Sequence, residues 1–507
     1  MAINDEMRGL ILDNFGFMPT KEQEKAAKMM ADFILSREDG GAFLLKGYAG
    51  TGKTSLVGAL VRALDELKQR TVLMASTGRA AKVFSLHTGH TAYTIHKRIY
   101  RQKAFTGNMD GFLQGVNLMK HTLFIVDEAS MIANDGSIGA NFGTGRLLDD
   151  LIQFVYSGEG CRLMLIGDTA QLPPVGEAES PALSAEMIGG YGLNVSEITL
   201  TQVVRQLSES GILLNATMLR RTLATADTYA FPRLRLTADV VYMPGNELIE
   251  ALEQAYYECG TDDTIVVTRS NSRANAFNLG IRARILGYEE ELSCGDRVVI
   301  VKNNYHWVKP EAEEMAKRYE RELKRGDSPQ TPEDEDEAAG GPAMDFIANG
   351  DTALVRRLRN EREAHGFRFV DVTLAFPDFN DVEVDATILL DTLTSEAPAL
   401  THSQHEALFQ HVWDDYPEIA TKQDRLKAVK EDTYFNALQV KYAYAVTCHK
   451  AQGGQWSRVF VDQGYITDEM LGTDYFRWLY TAITRATEKV YLINWPKQGL
   501  EEATSLD

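Results

Sequence analysis

One eight-residue run in the sequence has the residue types and the spacing of a phosphate-binding loop. Residues 47–54 read Gly-Tyr-Ala-Gly-Thr-Gly-Lys-Thr and match the pattern G-x-x-x-x-G-K-(S/T), between an apolar run and a helical stretch. The glycines let backbone N–H groups approach phosphate oxygens, and the start of the helix adds a positive dipole. Lys53 would reach the β- and γ-phosphates, and the Thr54 hydroxyl would hold Mg²⁺. The predicted nucleotide ligands in this loop are Gly47, Gly50, Thr51, Gly52, Lys53 and Thr54.

Two polar segments that follow later apolar runs supply the other groups that triphosphate hydrolysis requires. Asp127 and Glu128 follow the run 123–126, and Gln171 follows the run 163–166. Asp127 would bind Mg²⁺, Glu128 would orient and deprotonate the attacking water, and Gln171 would sense the γ-phosphate. By themselves, a helix-capping acid and a proline-rich turn would explain these residues. Alongside the phosphate loop, they predict a centre that hydrolyses ATP with Mg²⁺ as its cofactor.

Short apolar runs alternate with helical stretches and predict the sheet that positions these residues. Continuous runs are typical of strands buried on both faces, so the first two hundred residues predict a parallel α/β sheet, and a second α/β series follows. Between them, the charged segment 311–325, the acidic tract 333–337 and three β-type segments predict a small β-rich insertion. The apolar runs are 42–45, 72–74, 123–126, 163–166, 264–267, 458–461 and 490–493, and the β-type segments are 352–355, 367–375 and 382–390.

The charge is unevenly distributed along an acidic chain. The 507 residues carry 52 Lys and Arg against 72 Asp and Glu, a net charge of −20, which excludes a histone-like coat protein and a polybasic membrane binder. Residues 43–120 nevertheless hold twelve basic residues against three acidic ones. Aromatic residues lie among these charges, which suits single-stranded nucleic acid, although a solvated basic face over core aromatics explains the pattern equally well. The aromatic residues are Tyr93, Tyr100, Phe105 and Phe112.

Nothing in the sequence indicates a membrane or an oxidising compartment. No apolar run approaches the roughly 20 residues that span a bilayer, and residues 1–16 lack the apolar stretch of a signal peptide. The four cysteines are scattered and form no CxxC pair. We therefore expect a cytoplasmic protein with no membrane partner, no disulfide framework and no cysteine zinc site.

Six further segments, in order with the phosphate loop and the acidic pair, resemble the motifs of helicase superfamily 1B, the Dda- and RecD-like branch. The resemblance extends over most of the chain and is most specific in the phosphate loop and the last two segments. One departure is Ser76, where the family commonly has proline. The segments are Thr20–Gln23 (Q motif), Ala75–Ala81 (motif Ia), Thr94–His96 (motif Ib), Val204–Gln206 (motif IV), Thr447–Gly453 (motif V) and Tyr480–Ala486 (motif VI).

The resemblance implies roles for residues that spacing alone does not explain. Gln23 would contact the adenine base, and Gly453 would lie at the nucleotide. Arginines from the second α/β part would approach the γ-phosphate and stabilise the charge that develops there in the transition state. The implied catalytic set is Lys53, Glu128, Gln171, Arg205 and Arg485. The residues implied to hold single-stranded DNA are Ser76, Thr77, Thr94, His96, Thr447 and His449.

The resemblance also implies an α/β architecture of two RecA-like parallel-sheet lobes. A small pin insertion would interrupt the first lobe and split the duplex, and an SH3-like β-rich insertion with an acidic loop would interrupt the second. The implied ranges are 1–205 for the first lobe with its ATP site, 97–121 for the pin, 206–303 plus 441–507 for the second lobe, 304–440 for the β-rich insertion and 326–342 for the acidic loop.

Taken together, these features predict an ATP-dependent DNA helicase that acts as a monomer on single-stranded and tailed duplex DNA. Movement in the 5′→3′ direction comes from the resemblance alone, and the β-rich insertion or the acidic loop would be the place for a protein partner. Three alternatives stay open: an RNA-directed helicase of the same superfamily, a P-loop kinase, and a scaffold with a decayed ATP site. The first stays open because no residue pattern reads the RNA 2′-hydroxyl.

Overall fold

The chain divides into two compact units in the computed structural model. Unit 1 combines residues 1–245 with residues 451–507, and unit 2 consists of residues 246–450. The structure describes residues 3–36, 40–102, 112–136, 144–204, 210–225, 227–308, 344 and 346–501.

The first part of unit 1 alternates strands and helices, as the apolar runs predict. Its strands are β1 (Gly41–Gly47), β2 (Thr71–Ala75), β3 (Ala92–Thr94), β4 (Tyr100–Gln102), β5 (Phe112–Gln114), β6 (Leu123–Asp127), β7 (Arg162–Gly167), β8 (Asn194–Leu200), β9 (Leu234–Arg235) and β10 (Val240–Met243). Its helices are α1 (Ile3–Asp13), α2 (Lys21–Leu35), α3 (Lys53–Glu66), α4 (Gly78–Thr88), α5 (Ile95–Ile99), α6 (Leu147–Ser157), α7 (Ala185–Gly189) and α8 (Gly211–Thr225).

Six of these strands form one sheet in the order β3-β2-β6-β7-β1-β8, and all neighbours in it are parallel. Alternate residues of β1 face opposite sides, because Phe43 and Leu45 enter one apolar cluster whereas Ala42 and Leu44 enter the other. Helices α1 to α4 cover the first face, and α5 and α6 cover the second. The carboxyl ends of the strands therefore meet at one edge, where the polar residues that follow them gather.

Side-chain caps determine where two helices begin after strands of this sheet. Thr77 Oγ1 accepts the Ala80 N–H at 3.2 Å at the start of α4, and Thr94 Oγ1 accepts the Lys97 N–H at 3.2 Å at the start of α5. Caps of this kind satisfy N–H groups that have no partner within the helix. Both threonine hydroxyls are thereby held at the carboxyl edge of the sheet.

Unit 2 is built around a closed five-stranded barrel. Its elements are α9 (Leu248–Cys259), β11 (Thr264–Thr268), α10 (Asn271–Arg284), β12 (Arg297–Ile300), β13 (Thr352–Ala364), β14 (Phe367–Phe376), β15 (Val382–Leu389), α11 (His402–Asp414), α12 (Lys422–Glu431), β16 (Leu438–Tyr442), β17 (Ala445–Thr447) and the start of α13 (Cys448–Ala451). The barrel order is β12-β13-β14-β15-β16, with β15 and β16 parallel and the other neighbours antiparallel. Beside it, β11 and β17 form a parallel pair.

A buried ion pair joins α10 to the start of the barrel. Arg282 donates from Nε and Nη2 to the two carboxylate oxygens of Asp296, both at 2.8 Å, and both side chains are buried. The Tyr444 hydroxyl also donates to Asp296, at 3.1 Å. Because each charged group has several partners, the pair offsets the loss of hydration that burial imposes and holds the barrel in one orientation on α10.

The last part of the chain returns to unit 1. It contains β18 (Trp456–Asp462), α14 (Thr473–Ile483), β19 (Ala486–Ile493) and β20 (Leu500–Glu501). Strand β19 lies between β10 and β18 and is parallel to both, and β20 pairs with β9. Strand β10 from the first stretch of unit 1 therefore joins one parallel sheet with β18 and β19 from the last stretch.

The predicted fold class is confirmed: the protein is mixed α/β with parallel sheets, and a β-barrel stands where a β-rich insertion was expected. The barrel takes β12 from before residue 304, so the predicted insertion range 304–440 does not contain all its strands. The lobe and insertion ranges stay predictions. The segments 311–325 and 326–342 lie outside the described residues. Among the helices that are described, none has both the length and the apolar character that crossing a bilayer requires.

A carboxyl group beside the barrel is buried with an incomplete set of donors. Asp351, which precedes β13, accepts the Ala348 N–H on Oδ2 at 2.7 Å, whereas its buried Oδ1 has no hydrogen-bond partner in the described part of the chain. Burial raises the pKa of Asp351 to about 7, and the negative charge of Asp378 contributes to the rise. The folded state therefore favours the protonated form, so its contribution to stability is present at low pH and is lost as the pH rises through about 7.

We expect Asp351→Asn to stabilise the protein more at pH 8 than at pH 5, because the unfavourable ionisation of Asp351 grows between about pH 4 and about pH 7. The amide is neutral at both pH values, and its oxygen can still accept the Ala348 N–H. Denaturant unfolding should show that the gain in free energy of unfolding from the substitution is about 1–3 kcal/mol larger at pH 8 than at pH 5. A stability change of equal size at both pH values would contradict this interpretation.

Candidate active site

The phosphate loop joins β1 to α3, and two glycines with left-handed backbone shape it. Gly50 and Gly52 have φ angles of +73° and +77°, and Gly52 is the residue that caps α3. A β-carbon on Gly52 would lie 2.7 Å from Nε2 of Gln23, so both the conformation and the space require glycine. The loop therefore has the strand–loop–helix context that the motif predicts.

Lys53, the first residue of α3, folds back over this loop. Its Nζ donates to the carbonyl oxygens of Gly47 at 2.6 Å and Tyr48 at 2.9 Å. The Thr51 hydroxyl also donates to the Tyr48 carbonyl, at 2.8 Å. Since the partners of Lys53 are neutral carbonyls, its positive charge acts on the acidic groups nearby and is available to a phosphate.

Gln23 supports the loop from α2. Its side chain is 1% exposed, its Nε2 donates to the Thr51 carbonyl at 2.9 Å, and its Oε1 accepts the Thr20 N–H at 2.8 Å. Both ends of the side-chain amide are thus engaged within the protein. The contact to the adenine base that the resemblance implies stays a prediction, and the geometry describes a brace between α2 and the phosphate loop.

Two carboxyl groups lie at the ends of adjacent strands near this lysine. Burial raises the pKa of Asp127, at the end of β6, to about 7, and the charge of Glu128 contributes to the rise. Burial also raises the pKa of Asp168, just after β7. The positive charge of Lys53 opposes both shifts. A divalent cation beside Asp127 would favour the ionised carboxylate in the same way.

Glu128 and Arg485 come together beside this pair. Glu128 has a left-handed backbone, with φ 51° and ψ 41°, and its N–H donates to Asp127 Oδ1 at 2.8 Å. The Glu128 Oε1 lies 3.8 Å from Arg485 Nη1. Arg485 is buried and also donates from Nη1 to the Gly454 carbonyl at 3.3 Å. Two of the predicted catalytic residues are therefore neighbours in unit 1.

Helix α14 makes further contacts with the loops that carry the site. The Tyr480 hydroxyl donates to Asp168 Oδ2 at 2.6 Å and accepts the Ala49 N–H of the phosphate loop at 2.9 Å. The next residue, Thr481, accepts the Leu172 N–H at 2.9 Å. Tyr480 is fully buried, and burial raises the pKa of its hydroxyl, so the group stays protonated and donates. The helix thus bonds directly to the phosphate loop and to the loops after β7.

The residues present fit a nucleoside triphosphate with Mg²⁺. The Oε1 of Gln171 is buried without a hydrogen-bond partner among the described residues, which leaves an acceptor for a water beside the phosphates. A β-carbon on Gly47 would lie 2.9 Å from Lys53 Cδ, so glycine is required where Lys53 folds over the loop. Thr54 and Asp127 carry oxygen atoms of the kind that Mg²⁺ prefers. The described residues contain no cluster of three or more His, Cys, Asp or Glu that could hold a metal ion.

The four residues of unit 1 that are predicted to contact single-stranded DNA lie at the carboxyl ends of β2 and β3. They are Ser76, Thr77, Thr94 and His96. The hydroxyl oxygens of Thr77 and Thr94 accept backbone N–H groups as helix caps. Each hydroxyl can therefore still donate a hydrogen bond to a phosphate. Ser76 Oγ donates instead to the Glu128 carbonyl, at 2.8 Å. Burial lowers the pKa of His96 to about 4, so its ring is neutral at pH 7 and adds no positive charge.

The start of α4 meets the end of motif V. A β-carbon on Gly453 would lie 2.9 Å from Thr77 Oγ1, so glycine permits this approach. Arg79 donates from Nη2 to the Gln455 carbonyl at 2.8 Å, and its guanidinium lies 4.1 Å from the ring centre of Trp456. Motif Ia and the residues after Gly453 therefore form one contact region, whereas a role for Gly453 at the nucleotide stays a prediction.

The two residues of unit 2 that are predicted to contact single-stranded DNA lie at the carboxyl end of the β11–β17 pair. Thr447 is the last residue of β17, and His449 lies in α13. Burial lowers the pKa of His449 and lowers that of the adjacent Lys450 to about 8. The histidine is therefore neutral at pH 7, and its assignment to DNA stays a prediction.

Two of the aromatic residues considered for nucleic-acid binding are buried in the core, and two other predicted residues and one further side chain lie outside the part of the chain that the structure describes. Tyr93 and Tyr100 are 7% and 5% exposed, so the core interpretation holds for these two and they offer no platform to bases. Tyr100 instead donates its hydroxyl proton to Asp150, at 2.6 Å. Arg205, Phe105 and the side chain of Phe112 lie outside the described residues.

Two known families match the regions that carry the site. Residues 20–230 match the AAA domain family, and residues 442–493 match the UvrD-like helicase C-terminal domain family. The first match contains the phosphate loop and both buried carboxyl groups, and the second contains Tyr480 and Arg485. Both matches support the resemblance to helicase superfamily 1B that the motifs indicate.

Three similar proteins illustrate how far the likeness extends. The ATP-dependent RecD2 DNA helicase of Deinococcus radiodurans is 32% identical over 171 residues, which cover 34% of this chain and 20% of the relative. The ATP-dependent DNA helicase Pif1 of Bdellovibrio bacteriovorus is 28% identical over 170 residues, or 32% of this chain and 35% of the relative. The matches thus span about a fifth and a third of these relatives. The crystal structure of a Bacteroides Pif1 helicase with ADP-AlF3 and ssDNA has 14% identity and a TM-score of 0.43, over 97% of this chain and 94% of that one.

Sequence reasoning did not single out Tyr480, Thr481 or Gln452 as separate contributors. Gln452 donates to the Leu172 carbonyl at 2.7 Å, next to the Thr481 contact, so both bonds hold the loop that follows Gln171. All three residues lie inside the motifs that the resemblance marks. The signal that could have found them is a buried polar side chain in an apolar helix, which requires a partner.

We expect Tyr480→Phe to lower the kcat of ATP hydrolysis about tenfold or more. The ring still fills its place, but the Ala49 N–H and Asp168 both lose a buried partner, which is unfavourable for each group. Steady-state ATPase assays of the purified chain measure this. The matched control is Tyr475→Phe, which removes another buried hydroxyl from α14, bonded to Gln463 at 2.7 Å, and should leave kcat within about twofold. Equal rates for the two variants would contradict a role for the Tyr480 bonds.

Proposed function

We propose that this protein is an ATP-driven DNA helicase that moves along single-stranded DNA and separates duplex DNA ahead of it. The observation that carries the proposal is that Tyr480, which lies in α14 and begins motif VI, bonds to the phosphate loop and to Asp168. A change at the nucleotide can therefore reach α14. The relatives named as ATP-dependent DNA helicases support the same activity, although they match this chain over only part of their length.

In this proposal, the residues around the phosphate loop bind and hydrolyse ATP. Lys53 holds the β- and γ-phosphates, and Glu128 takes the proton of the attacking water. Thr54 and Asp127 would hold Mg²⁺, which would supply positive charge that neutralises the phosphates. Gln171 orients groups at the γ-phosphate, and its buried side-chain oxygen, which has no hydrogen-bond partner among the described residues, supports this role.

Two arginines complete the proposed catalytic set. Arg485 stabilises the negative charge that spreads over the γ-phosphate in the transition state, and its position 3.8 Å from Glu128 supports this. Arg205, which lies outside the described residues, is proposed from its motif alone. Release of the cleaved phosphate removes the charge that Arg485 would contact, so its attraction to the first lobe would weaken after each turnover.

The proposed strand-binding surface uses hydroxyl and imidazole groups rather than many ion pairs. Thr77, Thr94 and His96 would hold the strand on the first lobe, and Thr447 and His449 would hold it on the second. The basic stretch 43–120 supplies long-range attraction, so binding should weaken as salt rises. The proposed lobes keep the ranges 1–205 and 206–303 plus 441–507, with the insertion 304–440, and the protein acts as a monomer in a 5′→3′ direction.

A strand-displacement assay tests the activity and its direction. With ATP and Mg²⁺, the wild-type chain should separate a duplex with a 5′ single-stranded tail, whereas a 3′-tailed duplex and the Lys53→Ala variant should show no separation. Unwinding confined to the 3′-tailed duplex would refute the direction, and near-normal ATP turnover in Lys53→Ala would refute the assignment of the phosphate loop. Stronger ATPase stimulation by poly(U) than by poly(dT) would make RNA the substrate.

We expect Arg485→Lys to lower the kcat of DNA-stimulated ATP hydrolysis by about 10³-fold, with little change in DNA affinity. Lysine keeps the charge but lacks the planar guanidinium that reaches several oxygens at once. ATPase assays at saturating poly(dT), together with fluorescence anisotropy of a labelled dT strand, separate the two effects. The control is Arg458→Lys on β18, where the arginine pairs with Glu488 away from the ATP site and kcat should change less than about twofold. A loss of DNA affinity with kcat unchanged would contradict the assignment.

A further inference from the structure

Ser76 lies beside Glu128 because of the register between two strands. Strands β2 and β6 pair in parallel with Ala75 opposite Asp127, so the next residue on each strand is Ser76 and Glu128. The Ser76 hydroxyl donates to the Glu128 carbonyl at 2.8 Å. A side chain of motif Ia is therefore bonded to the residue proposed to activate water.

Glu128 has a backbone that needs support from its neighbours. Its φ of 51° and ψ of 41° place a non-glycine residue in the left-handed region, which costs about 1–2 kcal/mol. The N–H of Glu128 is fixed by Asp127 Oδ1 at 2.8 Å, and its carbonyl accepts the Met131 N–H at 3.2 Å as well as the Ser76 hydroxyl. A strained conformation persists when surrounding bonds determine it in this way.

The hydroxyl proton of Ser76 is used by this bond. A serine hydroxyl has one proton, and DNA phosphates offer only acceptors, so Ser76 cannot donate to Glu128 and to a phosphate at the same time. Thr77 differs, since its hydroxyl oxygen accepts the Ala80 N–H and its proton is not needed for that bond. Two adjacent residues of one motif thus have opposite hydrogen-bonding roles.

We propose that Ser76 is a positioning residue for Glu128 in ATP hydrolysis rather than a contact to the DNA strand. This inference rests on the proposed function, because it assigns Glu128 to the attacking water. Ser76 holds the Glu128 carbonyl, which keeps the left-handed backbone and so directs the Glu128 carboxylate towards Arg485 and the phosphates. Loss of the bond lets the peptide rotate towards a less strained conformation and lowers the fraction of Glu128 in its working position.

Steady-state ATPase assays of the full chain with poly(dT) test the assignment. Ser76→Ala should lower kcat at saturating poly(dT) about 3- to 10-fold, the size expected when one hydrogen bond is lost. The KM for ATP and the half-stimulating concentration of poly(dT) should stay within about twofold of wild type. Ser76→Thr, which keeps the hydroxyl, should restore kcat to within about twofold.

The matched control is Ser85→Ala in helix α4, which packs on the same sheet. Ser85 donates to the Ala81 carbonyl at 2.9 Å and accepts the Ala92 N–H at 2.8 Å, so the substitution removes a comparable hydroxyl away from Glu128. It should leave kcat within about twofold. Hydrogen exchange of the amides in residues 129–132 should be faster in Ser76→Ala than in wild type or Ser85→Ala, with or without ATP hydrolysis.

Two results would overturn the inference while the proposed function stands. One is a half-stimulating poly(dT) concentration raised more than about fivefold in Ser76→Ala with kcat unchanged, which would make Ser76 a strand contact. The other is an active wild-type chain beside a Ser76→Ala variant with unchanged kcat and unchanged exchange. A wild-type chain that hydrolyses no ATP, with or without poly(dT), would refute the proposed function and this inference with it.

Discussion

The burial of Asp127 and Asp168 at the ends of adjacent strands is the constraint on which the rest of the site depends. Taking two carboxyl groups out of water near Glu128 is unfavourable unless positive charge or hydrogen-bond donors compensate. Lys53 supplies the charge, and Asp168 also accepts the Ala170 N–H at 2.9 Å. The raised pKa values show that compensation is incomplete before a ligand binds. A divalent cation bound with a triphosphate would supply further positive charge beside these carboxylates. Part of the free energy lost by burying them would then be recovered when the ligand binds.

Helix α14 depends on the same arrangement from the other side. Its Tyr480 hydroxyl needs an acceptor and a donor inside the protein, and it finds them in Asp168 and Ala49. Any change in the charge or position of the phosphate loop therefore alters the free energy of α14 in this position. Such an effect is reciprocal, since whatever moves α14 also alters the affinity of the loop for its ligand.

The parallel sheet could be predicted because β1, β2, β6 and β7 are continuous apolar runs, as strands buried on both faces must be. Strand β8 was missed because Asn194–Leu200 is an edge strand whose polar and apolar residues alternate between exposed and buried positions. In the site, the residue types of the phosphate loop follow from phosphate chemistry and were predictable. The contacts of Tyr480 were not, because they join residues 431 positions apart, and a tyrosine in an apolar helix resembles any core residue. The role of Ser76 depends on the backbone angle of Glu128, which sequence does not encode locally.

Unit 1 is assembled from two separated stretches of chain, with all of unit 2 between them. Synthesis runs from the N-terminus, and compact parts fold as they emerge, so the first sheet and unit 2 are complete before residues 451–507 have been made. A nascent chain can therefore present a formed phosphate loop that still lacks Tyr480 and Arg485. The order of translation itself therefore delays the contacts of Tyr480 with the phosphate loop and of Arg485 with Glu128 until residues 451–507 have been made.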